Sequence, residues 1–386
     1  MIERSRPKHH DTAGSVASCD VNLPSDGDTE AQAVAESVTG GRVSPEQWAT
    51  LRLVGFAAYA LLLLAQLTVG LPGLERGLPL SPFIIMGWLG LASAVWSIGR
   101  DRREVFYALI GWGSLAVAIQ VYAMTRSVVD NWWGNPASVP GHPRTIPQQS
   151  LTNAQWVTKV ERVIGFGHDP TTWLQQHLYI RNDEDAAHWE IFTALVYLSH
   201  FFVVYVVAIV QWIRNRTEWL RWVLTLSTLL VFGVSLYLLV PLAPPWLASP
   251  AGLVGPVDRV GTRALQYIQL DAASKIWEKG AASSNEVAAF PSLHLGFTVL
   301  VSAYFWGRAK LWVRVLLVAY PLAMAFALVY SGEHYIVDCI AGALLAIFVV
   351  WFTRRITPWI TSRQFLNKNS SSSAVNSSAS SSASID

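Results

Sequence analysis

Charge is scarce in this chain. Asp, Glu, Lys and Arg make up 14% of 386 residues, where an ordinary soluble domain carries about a quarter, so a water-soluble globular protein is excluded as the class. Cysteine is nearly absent: Cys19 lies in a polar stretch and Cys339 in an apolar run, which makes a disulfide an unsupported expectation and excludes a cysteine metal cluster. Basic residues are not concentrated anywhere, and the net charge is only +2. A nucleic-acid partner is therefore not expected, because a phosphate backbone calls for a dense basic surface. The N-terminal stretch lacks the apolar core of a cleaved signal peptide, so insertion is expected to rely on the first spanning helix.

What the chain has in quantity is apolar side chain. Hydrophobic residues are 52% of the total and the mean hydropathy is +0.34, the signature of an integral membrane protein. The 18 Trp and 12 Tyr suit belts at the two membrane interfaces. Residues 1–48 and 361–386 are polar, the second almost wholly Ser, Ala and Asn near its end, and both are expected to be disordered tails. A membrane helical domain is left over 49–360.

At roughly 20 apolar residues per span, segments stand out near 51–70, 81–98, 105–125, 188–213, 219–241, 291–307, 311–332 and 335–356. The expected fold is all-α, a polytopic transmembrane bundle of about eight spans. Basic residues test that count, since Lys and Arg gather on the cytoplasmic side of short loops. Arg100, Arg102 and Arg103, then Arg214, Arg216 and Arg221, then Arg308, Lys310 and Arg314, and finally Arg354 and Arg355 mark every second junction. With Arg42 and Arg52 before the first helix, both termini are expected in the cytoplasm, and segments 126–187 and 242–290 outside.

Two strings then carry chemistry: Pro291-Ser292-Leu293-His294 and Gly332-Glu333-His334-Tyr335-Ile336-Val337-Asp338. Ionisable groups at membrane depth are costly and usually functional, and the topology puts both strings on the outer side. If His334 lies on a helix, Asp338 four residues on shares its face, so the carboxylate can hold one imidazole nitrogen while the other acts as a nucleophile. Pro291 suits the first turn of a helix. Ser292 and the free amides at that end form an anion site or simply a cap. His294 is placed to give a proton to a leaving oxygen. Together these parts suit phosphoryl transfer.

The spacing of Pro-Ser-Leu-His and, about forty residues on, Gly-Glu-His-Tyr-x-x-Asp resembles the second and third motifs of the type-2 phosphatidic acid phosphatase superfamily. In detail the chain looks like its inositol phosphorylceramide synthase (inositolphosphotransferase) branch, to which Pro241-Leu242-Ala243-Pro244-Pro245-Trp246, Tyr197-Leu198-Ser199-His200-Phe201 and Ala288-Ala289-Phe290-Pro291 are also similar. The likeness covers a catalytic module of about 165–350. It implies a phosphohistidine on His334, Asp338 orienting it, His294 protonating the departing alkoxide, Ser292 binding phosphate oxygens, and no metal or other cofactor. Water or an alcohol acceptor would resolve the intermediate of a membrane-lipid phosphate ester at the extracytoplasmic face of a cell membrane.

Two departures qualify the likeness. The first motif is missing, since the only Arg-Pro is Arg6-Pro7, and Leu328 stands where an Arg is expected six residues before His334. The phosphate's cationic partner is then to be sought in Arg259 and Arg263, four apart, or in Lys275 and Lys279. His200, deep in the fourth helix, is a candidate substrate contact or a packing partner of the catalytic helices. Segment 126–187, with Asp169-Pro170-Thr171-Thr172-Trp173-Leu174, reads either as an amphipathic helix on the outer leaflet or as a covering loop.

Other classes stay open. The same histidines would serve a metal or proton-relay transporter, although no zinc-like spacing and no internal repeat is present. An inactive lipid-binding member of the fold is a third reading.

Overall fold

The computed structural model describes residues 43–71, 82–133, 135–179, 188–260 and 285–357. The chain divides into two units, residues 1–51 and 52–386. In the first, Ser44 N–H donates to Gln47 Oε1 at 2.8 Å and Gln47 N–H donates to Ser44 Oγ at 3.2 Å. This reciprocal cap, with Pro45 in the first helical position, starts helix α1 (Pro45–Thr68). The expected tails lie largely outside the described residues.

The second unit continues with α2 (Pro82–Ser97), α3 (Arg102–Trp132), strands β1 (Pro136–Ser138) and β2 (Thr145–Pro147), α4 (Gln148–Ile164), α5 (Pro170–Leu178), α6 (His188–Arg214) and α7 (Arg216–Leu239). After the single turn α8 (Pro245–Ala248) come α9 (Leu293–Phe305), a 3-10 turn at Trp306–Arg308, α10 (Leu311–Tyr330) and α11 (Ile336–Thr357). The strands pair antiparallel, Ala137 opposite Ile146, a small exception among described residues that are otherwise mostly helical.

A helix occurs at each of the eight apolar segments, but length separates them. Among the described residues α1, α7, α10 and α11 are long and apolar enough to cross a membrane, and α6, bent by 47° between Trp189–His200 and Phe202–Arg214, makes a fifth if counted as one span. Helix α2 has 16 residues, α9 has 13, and the apolar part of α3 is Ala108–Tyr122. At 1.5 Å per residue α9 is about 20 Å long, against a hydrocarbon core of about 30 Å. Hydropathy counts apolar residues without seeing that Ser292 caps α9 and that residues 306–308 tighten its end.

Helix α3 packs along α7, α6 lies against α7 and α10, and α9 is enclosed by α6, α7 and α10. Their shared core includes Trp219, Trp222, Leu226, Leu229, Leu300 and Val349, all essentially buried. Leu311, Val315, Leu316 and Leu322 of α10 are exposed, as expected of a face turned to lipid. A second core of Val129, Ile146, Leu151, Leu242, Leu247, Val257 and Tyr335 ties the ribbon and α4 to the segments that lead into α9 and α11.

Backbone bonds complete that second layer. Leu242 N–H donates to the Val287 carbonyl at 2.7 Å, Ala289 N–H to the Leu242 carbonyl at 3.3 Å, and Ala243 N–H to the Ser150 carbonyl at 3.2 Å. The Asn153 side-chain amide donates to the Pro241 carbonyl at 2.7 Å. The helix reading of segment 126–187 finds a counterpart in α4, whose bounds the sequence did not give: its inner stripe, Ser150, Leu151, Ala154, Thr158 and Glu161, has helical spacing but is mostly polar.

The first turns of α9 and α11 are joined directly, Ser292 N–H donating to the Asp338 carbonyl at 2.9 Å. Gly342, one turn further along α11, lies so close that a Cβ there would run into the Ser292 carbonyl. Gly342→Ala should therefore lower stability by about 1–3 kcal/mol, the usual range for overpacking, seen as a reduced unfolding temperature of the detergent-solubilised protein.

Candidate active site

Helix α10 ends at Tyr330, and the chain turns through Gly332, whose φ of +75° favours glycine; a Cβ there would also meet Val257 Cγ1 at 2.7 Å. The turn delivers Glu333 and His334 before α11 begins at Ile336. His334 thus precedes the helix, and Asp338 sits within its first turn. The expected helical face shared by the two is replaced by a cap: Asp338 Oδ2 accepts Tyr335 N–H at 2.9 Å, the way a carboxylate three residues in closes a helix start. His334 Nδ1 is 3.6 Å from Asp338 Oδ2, and its hydrogen bond goes to the Ala289 carbonyl at 2.9 Å.

That carbonyl fixes one proton. A carbonyl can only accept, so His334 Nδ1 carries a proton, and a ring with no second proton keeps its lone pair on Nε2. Nε2 faces His294 Nδ1 at 3.0 Å, which donates to it in that form. His294 Nε2 in turn accepts from the Tyr197 hydroxyl at 3.2 Å. His334 is 3% and Asp338 0% exposed, while His294 is half-buried. The two imidazoles, forty residues apart, are in direct contact.

Each remaining candidate has a place. Ser292 is fully buried, its Oγ accepting Leu295 N–H at 3.3 Å as the N-cap of α9; with its amide on Asp338, its role in the structure is to join helices. His200 is buried, with its ring edge-to-face on His294 at a centroid distance of 4.3 Å and its Nδ1 on the Tyr197 carbonyl. Arg259 makes a two-pronged pair with Glu333, Nε to Oε1 at 2.7 Å and a terminal nitrogen to Oε2 at 3.1 Å, and lies over the Trp246 ring at 4.6 Å. Burial works against its charge, but Glu333 outweighs that and raises the guanidinium pKa further. Arg263, Lys275 and Lys279 lie outside the described residues.

Three participants were not singled out from sequence. Tyr197 stands one helical turn before His200, a spacing visible in the string that carries both. Glu333 is the neighbour of His334 and the partner of Arg259. The Ala289 carbonyl left no side-chain signal at all. Asp169-Pro170 does begin a helix, α5, with Asp169 Oδ1 accepting Thr172 N–H at 3.0 Å, and Trp173 is exposed on it.

The family model of the PAP2 superfamily matches residues 155–352, the stretch that builds this geometry. The chain belongs to the PAP2 superfamily. Among the relatives of this PAP2 protein is the inositol phosphorylceramide synthase catalytic subunit aur1 of Schizosaccharomyces pombe, 27% identical over 175 residues, which is 45% of this chain and 40% of the relative. Another is the phosphoinositol dihydroceramide synthase of Bacteroides thetaiotaomicron, 25% identical over 170 residues, 42% of this chain and 55% of the relative. The chain thus spans about half the length of the curated relatives it matches. No solved structure matches it.

Because Asp338 both caps α11 and lies behind His334, Asp338→Asn should keep the cap's acceptor and hence the fold. For a reaction at His334, loss of that charge should lower turnover by on the order of 10²-fold. Circular dichroism and kcat of the same preparation test the two halves.

Proposed function

We propose that this protein is a lipid phosphotransferase that works through a covalent intermediate on His334, with its site at the extracytoplasmic face of the membrane. The observation that carries the reading is the His334 ring, anchored through Nδ1 on the Ala289 carbonyl with Nε2 left to attack and His294 beside it. In the resting state Nε2 accepts a hydrogen bond from His294, so an entering phosphoryl group takes the place of that bond. Arg259 and its fork suit phosphate oxygens, and exchange of Glu333 for the substrate's phosphate would use the same donors.

The chemistry balances as two displacements. Nε2 of His334 attacks phosphorus and the bond from phosphorus to the ester oxygen breaks. His294, carrying a second proton on Nε2 beside the phosphate's negative charge, gives its Nδ1 proton to the departing alkoxide and becomes neutral. An acceptor hydroxyl then attacks the same phosphorus from the opposite side, its proton passes to His294, and the phosphorus–nitrogen bond breaks to return His334. A water acceptor makes this a phosphatase, an alcohol a transferase. The two relatives, an inositol phosphorylceramide synthase catalytic subunit and a phosphoinositol dihydroceramide synthase, favour the alcohol and an inositol-bearing donor. Nothing in these steps calls for a metal. The outer location rests on the Arg and Lys distribution.

The test is product analysis with a phosphatidylinositol donor, with and without a ceramide-type lipid alcohol. Transfer to the alcohol is expected, with turnover that survives EDTA. His334→Ala and His294→Ala should each lower turnover by on the order of 10³-fold or more while remaining folded, and an acid-labile phosphorylated adduct should form in wild type and be missing in His334→Ala. Arg259→Ala should lower kcat/KM by on the order of 10²-fold. Unchanged turnover in both histidine variants removes the catalytic pair, and loss on chelation favours a metal-dependent reaction.

A further inference from the structure

Glu161 belongs to α4, outside the two motif strings, and has no exposed surface. Its Oε1 accepts Val337 N–H at 2.8 Å, and Val337 is the second residue of α11, three after His334. A carboxylate there satisfies an amide that the helix leaves without a partner and meets the positive end of the helix dipole. Glu161 Oε2 is buried without a hydrogen-bond partner among the described residues, as is Asp338 Oδ1 on the adjoining residue. Two carboxyls therefore converge on one helical turn, Asp338 from within it and Glu161 from a helix 176 positions earlier in the chain.

Among the described residues, the groups that face Glu161 offer it no counter-charge. They are Asp338, Tyr335 and Cys339 from α11 and its lead-in, and Asp169 from the start of α5. Lys159 and Arg162 of its own helix point elsewhere and are exposed, Lys159 over the Trp156 ring and Arg162 toward the Leu253 carbonyl.

We propose that Glu161 is a positioning residue for His334: it holds the first turn of α11 through the Val337 amide and sets its carboxyl beside Asp338, whose own carboxyl lies 3.6 Å from the imidazole. This rests on the phosphohistidine reading. As Nε2 bonds to phosphorus the ring becomes cationic, and negative charge behind it stabilises that state. Burial lifts the Glu161 carboxyl from 4.5 to about 7, with the Val337 and Ile336 amides pulling it down and the Asp338 and Asp169 charges pushing it up. The charge therefore appears as pH rises through neutrality, and the rate should rise with it.

The test compares full-length wild type, Glu161→Gln and Glu161→Ala in detergent micelles. Wild-type kcat should climb with pH around 7. Glu161→Gln, which keeps an acceptor for the Val337 amide, should lose that climb with KM within about twofold, and Glu161→Ala should lose on the order of tenfold to a hundredfold in kcat across the range. A second readout needs no substrate. A carboxyl protonated by the fold up to about 7 binds its proton more tightly folded than unfolded, so its stabilisation is full below 4.5 and is lost as pH rises through 7. Wild type should lose thermal stability over that window in a way that Glu161→Gln does not. A Gln variant with wild-type kcat and wild-type pH profile overturns the proposal. If wild type turns over no lipid phosphate ester, the transfer reading fails by itself. The unfolding comparison then decides on the clamp: a pH dependence shared by both proteins overturns it, and one confined to wild type supports it.

Discussion

The hydrogen bond from Ser292 N–H to the Asp338 carbonyl is the constraint on which the rest of the site depends. It joins the starts of two helices whose sequences lie some forty residues apart, and it does so with backbone atoms, so it fixes their relative height as well as their contact. Gly342 makes the approach possible by offering no side chain against the Ser292 carbonyl. Once α9 and α11 are held in this way, His294 and His334 are held too. The Ala289 carbonyl, just upstream of the same junction, then sets the orientation and tautomer of the His334 ring.

Around that junction the outer layer works as a frame. Pro241–Ala243 pairs with residues 287–289 on one side and with α4 on the other, while Trp246 N–H donates to the Gly332 carbonyl at 3.1 Å and its ring lies beside Arg259. His142, from the turn between β1 and β2, reaches Glu286 at 3.2 Å. The segments that carry the catalytic candidates are thus tied to the ribbon, α4 and α8. Two histidines in contact across separate helix starts need such support, because the distance between their rings is only as fixed as the segments that carry them. Polar groups serve this frame where apolar packing alone would leave amides without partners.

Much of the fold was legible in composition. Apolar runs located all eight helices because a helix exposed to lipid must be apolar along its length. Among the described residues only four or five of them are long and apolar enough to cross, and capping is one reason: Ser292 sets where α9 starts. The bounds of α4 and the short ribbon were illegible because their inward residues are largely polar or too few to show a period. In the site, His294, His334 and Asp338 were legible as ionisable groups in apolar surroundings, and Arg259 as a loop cation. Tyr197, Glu333 and Glu161 were not, because what distinguishes them is the atom they face across the fold.

Residue types and spacing by themselves determined the class: a membrane-embedded helical chain bearing two histidine strings of the PAP2 kind. They could do so because hydropathy and motif spacing are local properties. Only the tertiary structure decided which atoms meet. It put Nε2 of His334 opposite Nδ1 of His294, moved Asp338 from a shared helical face to a cap, made Ser292 a helix joint, and set Glu161 on the Val337 amide. Those pairings follow from how the helix starts are packed and where their unsatisfied backbone groups find partners, which no stretch of sequence carries alone.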